Sequence, residues 1–153
     1  MDAEQIQLMA KNLPPVHLLT QLVNNENTIS YAVKDGDCFG IGLFNDTQVA
    51  VQRSYMSKGA TFPNHNHRER EYIVVYSGSV RFAVEPKALF MKSDKSGTQI
   101  LGRDYNSAPI EVVLNVGDAI AFPAGVSHAV EALEDTWMIA ITIPAAEGFP
   151  DGQ

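Results

Sequence analysis

The sequence predicts an all-β protein folded as one domain. From residue 16 onward, short runs of β-branched and aromatic residues are broken every few positions by Gly, Asn, Asp or Pro, the pattern of a sandwich or barrel. Only one short stretch carries helical spacing instead. The length of 153 residues supplies one full hydrophobic core and falls short of two ordinary domains.

The helical stretch comes first. Residues 2–11, DAEQIQLMAK, place Ile6, Leu8, Met9 and Ala10 near helical spacing behind Asp2 as a cap, and Pro14 and Pro15 end it, so residues 1–15 read as a helix and its linker. The expected strands follow in order: HLLTQLV, TISYAV, CFGIGLF, QVAVQRSYM, EYIVVYSG, SVRFAVE, IEVVLNV, AIAFP, HAVEAL and TWMIAITIP. Turn residues separate them at 34–37 (KDGD), 44–47 (FNDT), 76–79 (YSGS) and 115–118 (NVGD). Residues 86–108 form a polar, glycine-containing insertion, expected as a small strand or a mobile loop. No internal repeat or low-complexity tract interrupts the series.

Composition narrows the class. Hydrophobic residues at 45%, charged residues at 19% and a mean hydropathy of -0.08 describe a globular chain. The net charge of -7 and a pI near 4.9 argue against a phosphate backbone or an anionic lipid surface as partner, because both would be repelled. No nucleic acid and no membrane are therefore expected. One cysteine, Cys38, allows no internal disulfide and no thiolate pair for a metal, which fits a reducing compartment. The start of the chain has neither a basic leader nor a long apolar core, so no signal peptide is read and a cytoplasmic location is expected.

The chemistry concentrates in GATFPNHNHREREYIVVYSG, residues 59–78. In an extended segment, side chains at i and i+2 share a face, so His65 and His67 can aim at one point. Pro63 and two asparagines argue against a helix there. Glu71 opens the next strand, and a sharp connection between 67 and 71 would bring its carboxylate to the same place. A solvated polar turn with idle histidines reads equally well from this stretch alone, because an H-x-H pair is a weak motif.

The spacing of the whole chain decides between them. Gly59, His65, His67, Glu71 and Gly78 are followed by Gly117, Pro123, Gly125 and His128, nine residues at set intervals that use three of the four histidines. These two groups, in this order, resemble the paired signature motifs of the cupin superfamily. The match departs at Ala132, where the family often has Asn, a position that is not a ligand. The resemblance implies a single cupin domain over 1–153, a double-stranded β-helix or jelly-roll barrel with a short N-terminal helix, and metal ligands at His65, His67, Glu71 and His128. It also implies a homodimer formed by pairing sheets, with residues 16–33 as the expected contact.

Three imidazoles and one carboxylate, without thiolate, suit one divalent transition metal such as Fe, Mn, Ni, Co or Zn. An octahedral ion keeps two positions open beside four protein ligands, whereas tetrahedral zinc is closed by them. The leading expectation is a metal-dependent enzyme, an oxygenase or dioxygenase, acting on a small oxygenated metabolite. Isomerase, decarboxylase or lyase chemistry stays open, as do a non-catalytic ligand-binding or sensing module and a structural zinc site, because one fold hosts many reactions. No catalytic acid or base is named.

Alternation from Glu71 sends Ile73 and Val75 to the ligand face and Tyr72, Val74 and Tyr76 to the other; after Gly78, Val80, Phe82 and Val84 share one side. The metal's surroundings are thus expected to be apolar. His17 stands far from the motifs and reads as a surface or core histidine, Cys38 as a small buried hydrophobe, and Trp137 and Met138 as core or interface. Arg53 and Tyr55 could face a substrate, but a barrel exterior is the plainer expectation. Gly40 and Gly42 lie inside a strand pattern without the third glycine and helix of a dinucleotide fingerprint.

Overall fold

The computed structural model describes residues 28–30, 38–45, 48–104 and 107–144. The expected N-terminal helix, the strand at 17–23 and His17 lie outside them, as does most of the segment expected to form a dimer contact. The described residues are all-β. Twelve strands follow one another: β1 (Thr28–Ser30), β2 (Cys38–Asn45), β3 (Ala50–Met56), β4 (Thr61–His65), β5 (Arg70–Ser77), β6 (Ser79–Val84), β7 (Phe90–Asp94), β8 (Gly97–Leu101), β9 (Ile110–Asn115), β10 (Ala119–Phe122), β11 (His128–Ala132) and β12 (Thr136–Ile143). No helix among the described residues is long and apolar enough to cross a membrane.

The strands form an eight-stranded sheet in the order β1-β2-β3-β12-β5-β10-β7-β8 and a four-stranded sheet in the order β4-β11-β6-β9. All pairings are antiparallel, so each strand can be half apolar, with one face in the core and the other outside. The period-two pattern in the sequence is realised in this way. Along β5, Glu71, Ile73 and Val75 are buried while Tyr72, Val74 and Tyr76 are not, and along β6 Val80, Phe82 and Val84 point inward. Phe82, Phe90, Phe122, Met56, Leu114 and Ile120 fill the space between the sheets.

Two expectations need revision. Residues 61–65, TFPNH, were not expected to be a strand, yet they form β4, paired with β11 through Val130↔Phe62 and Glu131↔Thr61. Pro63 is tolerated because β4 is the edge of the smaller sheet, where a missing N–H costs no ladder bond. The 86–108 insertion is neither one strand nor a loop but contains the β7–β8 hairpin, which extends the large sheet at its edge through Met91↔Ala121 and Lys92↔Ile120. Its turn at Asp94–Gly97 is closed by Asp94 Oδ1 accepting from the Ser96 N–H at 2.8 Å.

Where the motif glycines turn the chain, the reason is steric. Gly78, between β5 and β6, has φ +78°, and a Cβ there would press on the Asp135 carbonyl and lie 2.8 Å from Thr136 Cα. Gly125 (φ +79°) shapes the turn before β11 and donates its N–H to the His67 carbonyl at 2.8 Å, tying the two motif segments together. Ala132, where the sequence departs from the superfamily pattern, is 1% exposed and sits on the ladder, its N–H bonded to the Ala60 carbonyl and its carbonyl to the Gly59 N–H.

Candidate metal centre

The two sheets deliver the site from opposite sides. His65 ends β4 and His128 begins β11, directly paired in register on the small sheet. Glu71 comes from β5 of the large sheet, beside Phe122 of β10 and Thr142 of β12. His67 lies in the short connection between β4 and β5. The ring nitrogens of His65, His67 and His128 come within 4.8 Å of one another and could hold a metal ion. Glu71 Oε2 lies 3.1 Å from His67 Nε2 and 3.2 Å from His128 Nε2.

All three imidazoles are oriented by the same device. Nδ1 of His65 bonds the Pro63 carbonyl at 2.9 Å, Nδ1 of His67 the Glu69 carbonyl at 3.0 Å, and Nδ1 of His128 the Val126 carbonyl at 3.0 Å. A carbonyl only accepts, so each Nδ1 carries the hydrogen, and when the ring is neutral its Nε2 keeps a lone pair. Phe122 stacks on His128 with centroids 4.1 Å apart and planes 3° from parallel, which fixes that ring further.

Burial and mutual charge set the protonation. Burial and the neighbouring His128 hold the His65 imidazole below its usual value. For His67, burial pulls downward, but the hydrogen bond and charge of Glu71 outweigh it and the net shift is upward. Burial would raise Glu71, yet the hydrogen bonds of His128 and His67 hold it at about 2, so the carboxylate is ionised.

A cavity of about 50 Å³ adjoins the cluster and is lined in part by His65, Glu71 and His128. That volume admits about three or four water molecules. Ile73 and Phe82 supply apolar wall, as the alternation along β5 and β6 led one to expect, and Val130 of β11 and Met138 of β12 add to it. The sequence did not single out Gln52 and Ser54, which enter the cavity from β3, nor did it expect Cys38 there. Arg53 and Tyr55 alternate to the outer face, as the plainer expectation had it: the Arg53 guanidinium sits 5.6 Å from the Tyr76 ring centroid and Tyr55 packs on Trp137 at 5.0 Å. Cys38 is buried, which pushes its thiol up to about 12. It is the inert small residue expected, now placed at the cavity wall.

Comparison with known proteins agrees with this architecture. The family model described as Cupin matches residues 42–146. Among solved structures, an RmlC-like cupin from Shewanella frigidimarina aligns with TM-score 0.57 at 20% identity, covering 79% of this chain and 94% of its own. KdgF from Halomonas sp. aligns with TM-score 0.55 at 16% identity, covering 81% and 94%. Bacillus subtilis oxalate decarboxylase, studied for its Mn(II) centres, aligns with TM-score 0.56 at 17% identity over 83% of this chain and 31% of that one. At such identities the likeness concerns the fold. No curated protein sequence matches the chain.

Proposed function

The chain belongs to the cupin family, and from that premise we propose that it is a metal-dependent enzyme acting on a small oxygenated metabolite, with oxygenase chemistry foremost. His65, His67, Glu71 and His128 together hold one divalent first-row ion. The observation that carries this reading is the shared tautomer. Three Nδ1–H groups are engaged by carbonyls, so three Nε2 lone pairs and a buried carboxylate share one space. Acceptors collected in this way repel one another unless a proton or a cation lies between them. Two donors each about 2.1 Å from one ion and at right angles to each other are roughly 3.0 Å apart. The 3.1 and 3.2 Å separations of Glu71 Oε2 from the two Nε2 atoms fit that edge.

When bound, such an ion supplies Lewis acidity and, if redox-active, a centre for dioxygen chemistry. The chain's own residues do the rest. The carbonyls of Pro63, Glu69 and Val126 orient the rings, as outer partners of metal-ligating histidines do. Glu71 lowers the net charge of the site by one. The apolar wall excludes bulk water, and the adjoining cavity gives a small ligand room beside the cluster. That cavity speaks against a purely structural zinc site, where protein donors close the shell. A ligand-binding module without turnover is the second reading, favoured because among the described residues the lining offers, beyond the cluster, only Gln52, Ser54 and Cys38 as polar groups, and burial keeps the Cys38 thiol protonated.

Metal analysis of protein purified without added ions tests the centre. One equivalent of a divalent ion is expected, and it should be lost in His67→Ala and His128→Ala variants that remain folded. Full retention of the ion in both would overturn the assignment. Oxygen uptake by the iron-loaded protein across diketones, catechols, thiols and hydroxy acids separates the two readings: turnover supports the oxygenase, and saturable binding with uniform inactivity supports the binding module.

A further inference from the structure

The wall of the cavity contributed by β2 and β3 carries polar side chains beside Met56, half-buried at Gln52 and buried at Ser54. Gln52, Ser54 and Cys38 line it. Ser54 and Cys38 are each 8% exposed. Neither Gln52 nor Ser54 makes a side-chain hydrogen bond to another described residue. Among the described residues the one buried side-chain polar atom left without a partner is Arg53 Nε, so the Ser54 hydroxyl and Gln52 amide are reachable from the cavity and open to hydrogen bonds from whatever enters it.

The wall is also recessed. Register sets Gly40 of β2 opposite Ser54 and Gly42 opposite Gln52, so the neighbouring strand brings no side chain at either level. On the other flank Gln52 faces Ala140 of β12. The two glycines that make no nucleotide fingerprint thus leave room where Gln52 and Ser54 point inward.

Charge complements the shape. Among the described residues no lysine or arginine lines the cavity, and the guanidinium of Arg53, between Gln52 and Ser54 in sequence, lies on the outer face over Tyr76. A divalent ion with the ionised Glu71 leaves one net positive charge, which a single anionic donor neutralises. A second negative charge would have no partner within a largely apolar wall. Gln and Ser each donate and accept, so they suit a hydroxyl, carbonyl or amide and offer no positive charge to a carboxylate.

We propose that this wall selects the ligand: a compact, singly charged oxygen chelator whose neutral second group is held by Gln52 and Ser54, taken in preference to dianions. This deepens the metal-centre reading and rests on it. The class is a hydroxy-carbonyl or enolised carbonyl compound small enough for a cavity of about 50 Å³. Dicarboxylates and phosphate esters are disfavoured.

Calorimetric titration of the metal-loaded full chain compares acetohydroxamate, singly charged, with oxalate, doubly charged. Both form five-membered oxygen chelates, and each affinity is referenced to the same ion free in buffer, with metal content determined on every sample. The native protein should favour acetohydroxamate by about tenfold or more. Ser54→Ala and Gln52→Leu should each weaken its binding about five- to twentyfold while metal content and the oxalate affinity stay unchanged. Gln52→Lys should shift the preference toward oxalate, a gain that misfolding does not produce. Equal referenced affinities in the native protein, or native hydroxamate binding in both Ser54→Ala and Gln52→Leu, would overturn the role of the wall and leave the metal centre standing. A native protein that binds no ion would overturn both.

Discussion

Replacing Glu71 by Gln keeps the size of a side chain that is 3% exposed and deletes its charge, with consequences of opposite sign in the metal-free and metal-bound protein. Without metal, Glu71 Oε2 and the His67 Nε2 lie 3.1 Å apart, so a proton is shared between them. The Glu71 carboxyl is held at about 2, which places that proton on the imidazole. His67 is raised above its ordinary 6.5. A group whose folded pKa exceeds the unfolded one contributes stability that is complete below the unfolded value and disappears as pH rises through the folded one. Glu71→Gln should therefore destabilise the metal-free protein at pH 5 by about 1.5–3 kcal/mol, the contribution of a hydrogen bond to a charged group. For a chain of this size that is roughly 3–12 °C in Tm. At pH 9 the deficit should vanish, because the Gln amide can donate to an Nε2 that the carboxylate merely repels. With metal the order reverses: the variant should bind at least about 100-fold more weakly and lose about 2.7 kcal/mol of metal-linked stabilisation at saturating ion. Thermal unfolding followed by circular dichroism, with chelator and with metal at both pH values, reads all four numbers. A pH-independent deficit without metal, or an undiminished metal-dependent rise in Tm, would refute the reasoning.

Other perturbations probe the frame around the site. Gly78→Ala should lower stability by about 2–4 kcal/mol in urea unfolding, because φ +78° disfavours a side chain and the added Cβ meets the Asp135 carbonyl and Thr136; a change below 0.5 kcal/mol or so would mean that the turn readily adopts another shape. Phe122→Ala removes a ring that is 2% exposed and stacked on His128, and should cost about 3–5 kcal/mol while also weakening metal binding measured by competition with a chelator. Cys38 should resist iodoacetamide at pH 9 in the native protein, since burial pushes its thiol up to about 12. The unfolded chain ionises first, near the ordinary 9.0, so stability should fall as pH rises from there toward 12; rapid labelling with native circular dichroism intact would contradict that burial.

Much of the fold was legible because antiparallel strands with one wet face write their orientation into a period of two. EYIVVYSG and SVRFAVE show it plainly, and β5 and β6 bury the expected sides. TFPNH shows no such period. It is a strand because β11 offers its ladder, and its own residues at 64 and 63 are exposed and need no apolar character. The 86–108 segment misled for a related reason. An edge hairpin leaves Ile100 67% exposed and buries little, so its composition resembles that of a loop. The histidines were legible through the paired motifs and the resemblance they carry, because His65 and His67 alone read equally well as a polar turn, and His67 lies in the connection after β4 rather than on a strand. Gln52 and Ser54 were not, because Gln-Arg-Ser places three polar residues in a row, and nothing in the row says which alternate toward the cavity until β12 and β2 fix the register.

The way the cluster is divided between the sheets would make an ion held there a fastening of the barrel as well as a ligand-binding centre. His65 and His128 ride on the small sheet and Glu71 on the large one, and Gly125 bonds the His67 carbonyl across the two motif segments. Without an ion or a proton at their centre, the donors repel and bias the sheets apart at this end. A cation bound between them would reverse the sign of that interaction and draw the same surfaces together. A bound cation would be felt through the Phe122–His128–Phe82 contacts as well as in the His67 connection, and Phe82 and His128 also line the adjoining cavity. A ligand that bridged such a cation and the Gln52–Ser54 wall would therefore be expected to stabilise both sheets at once.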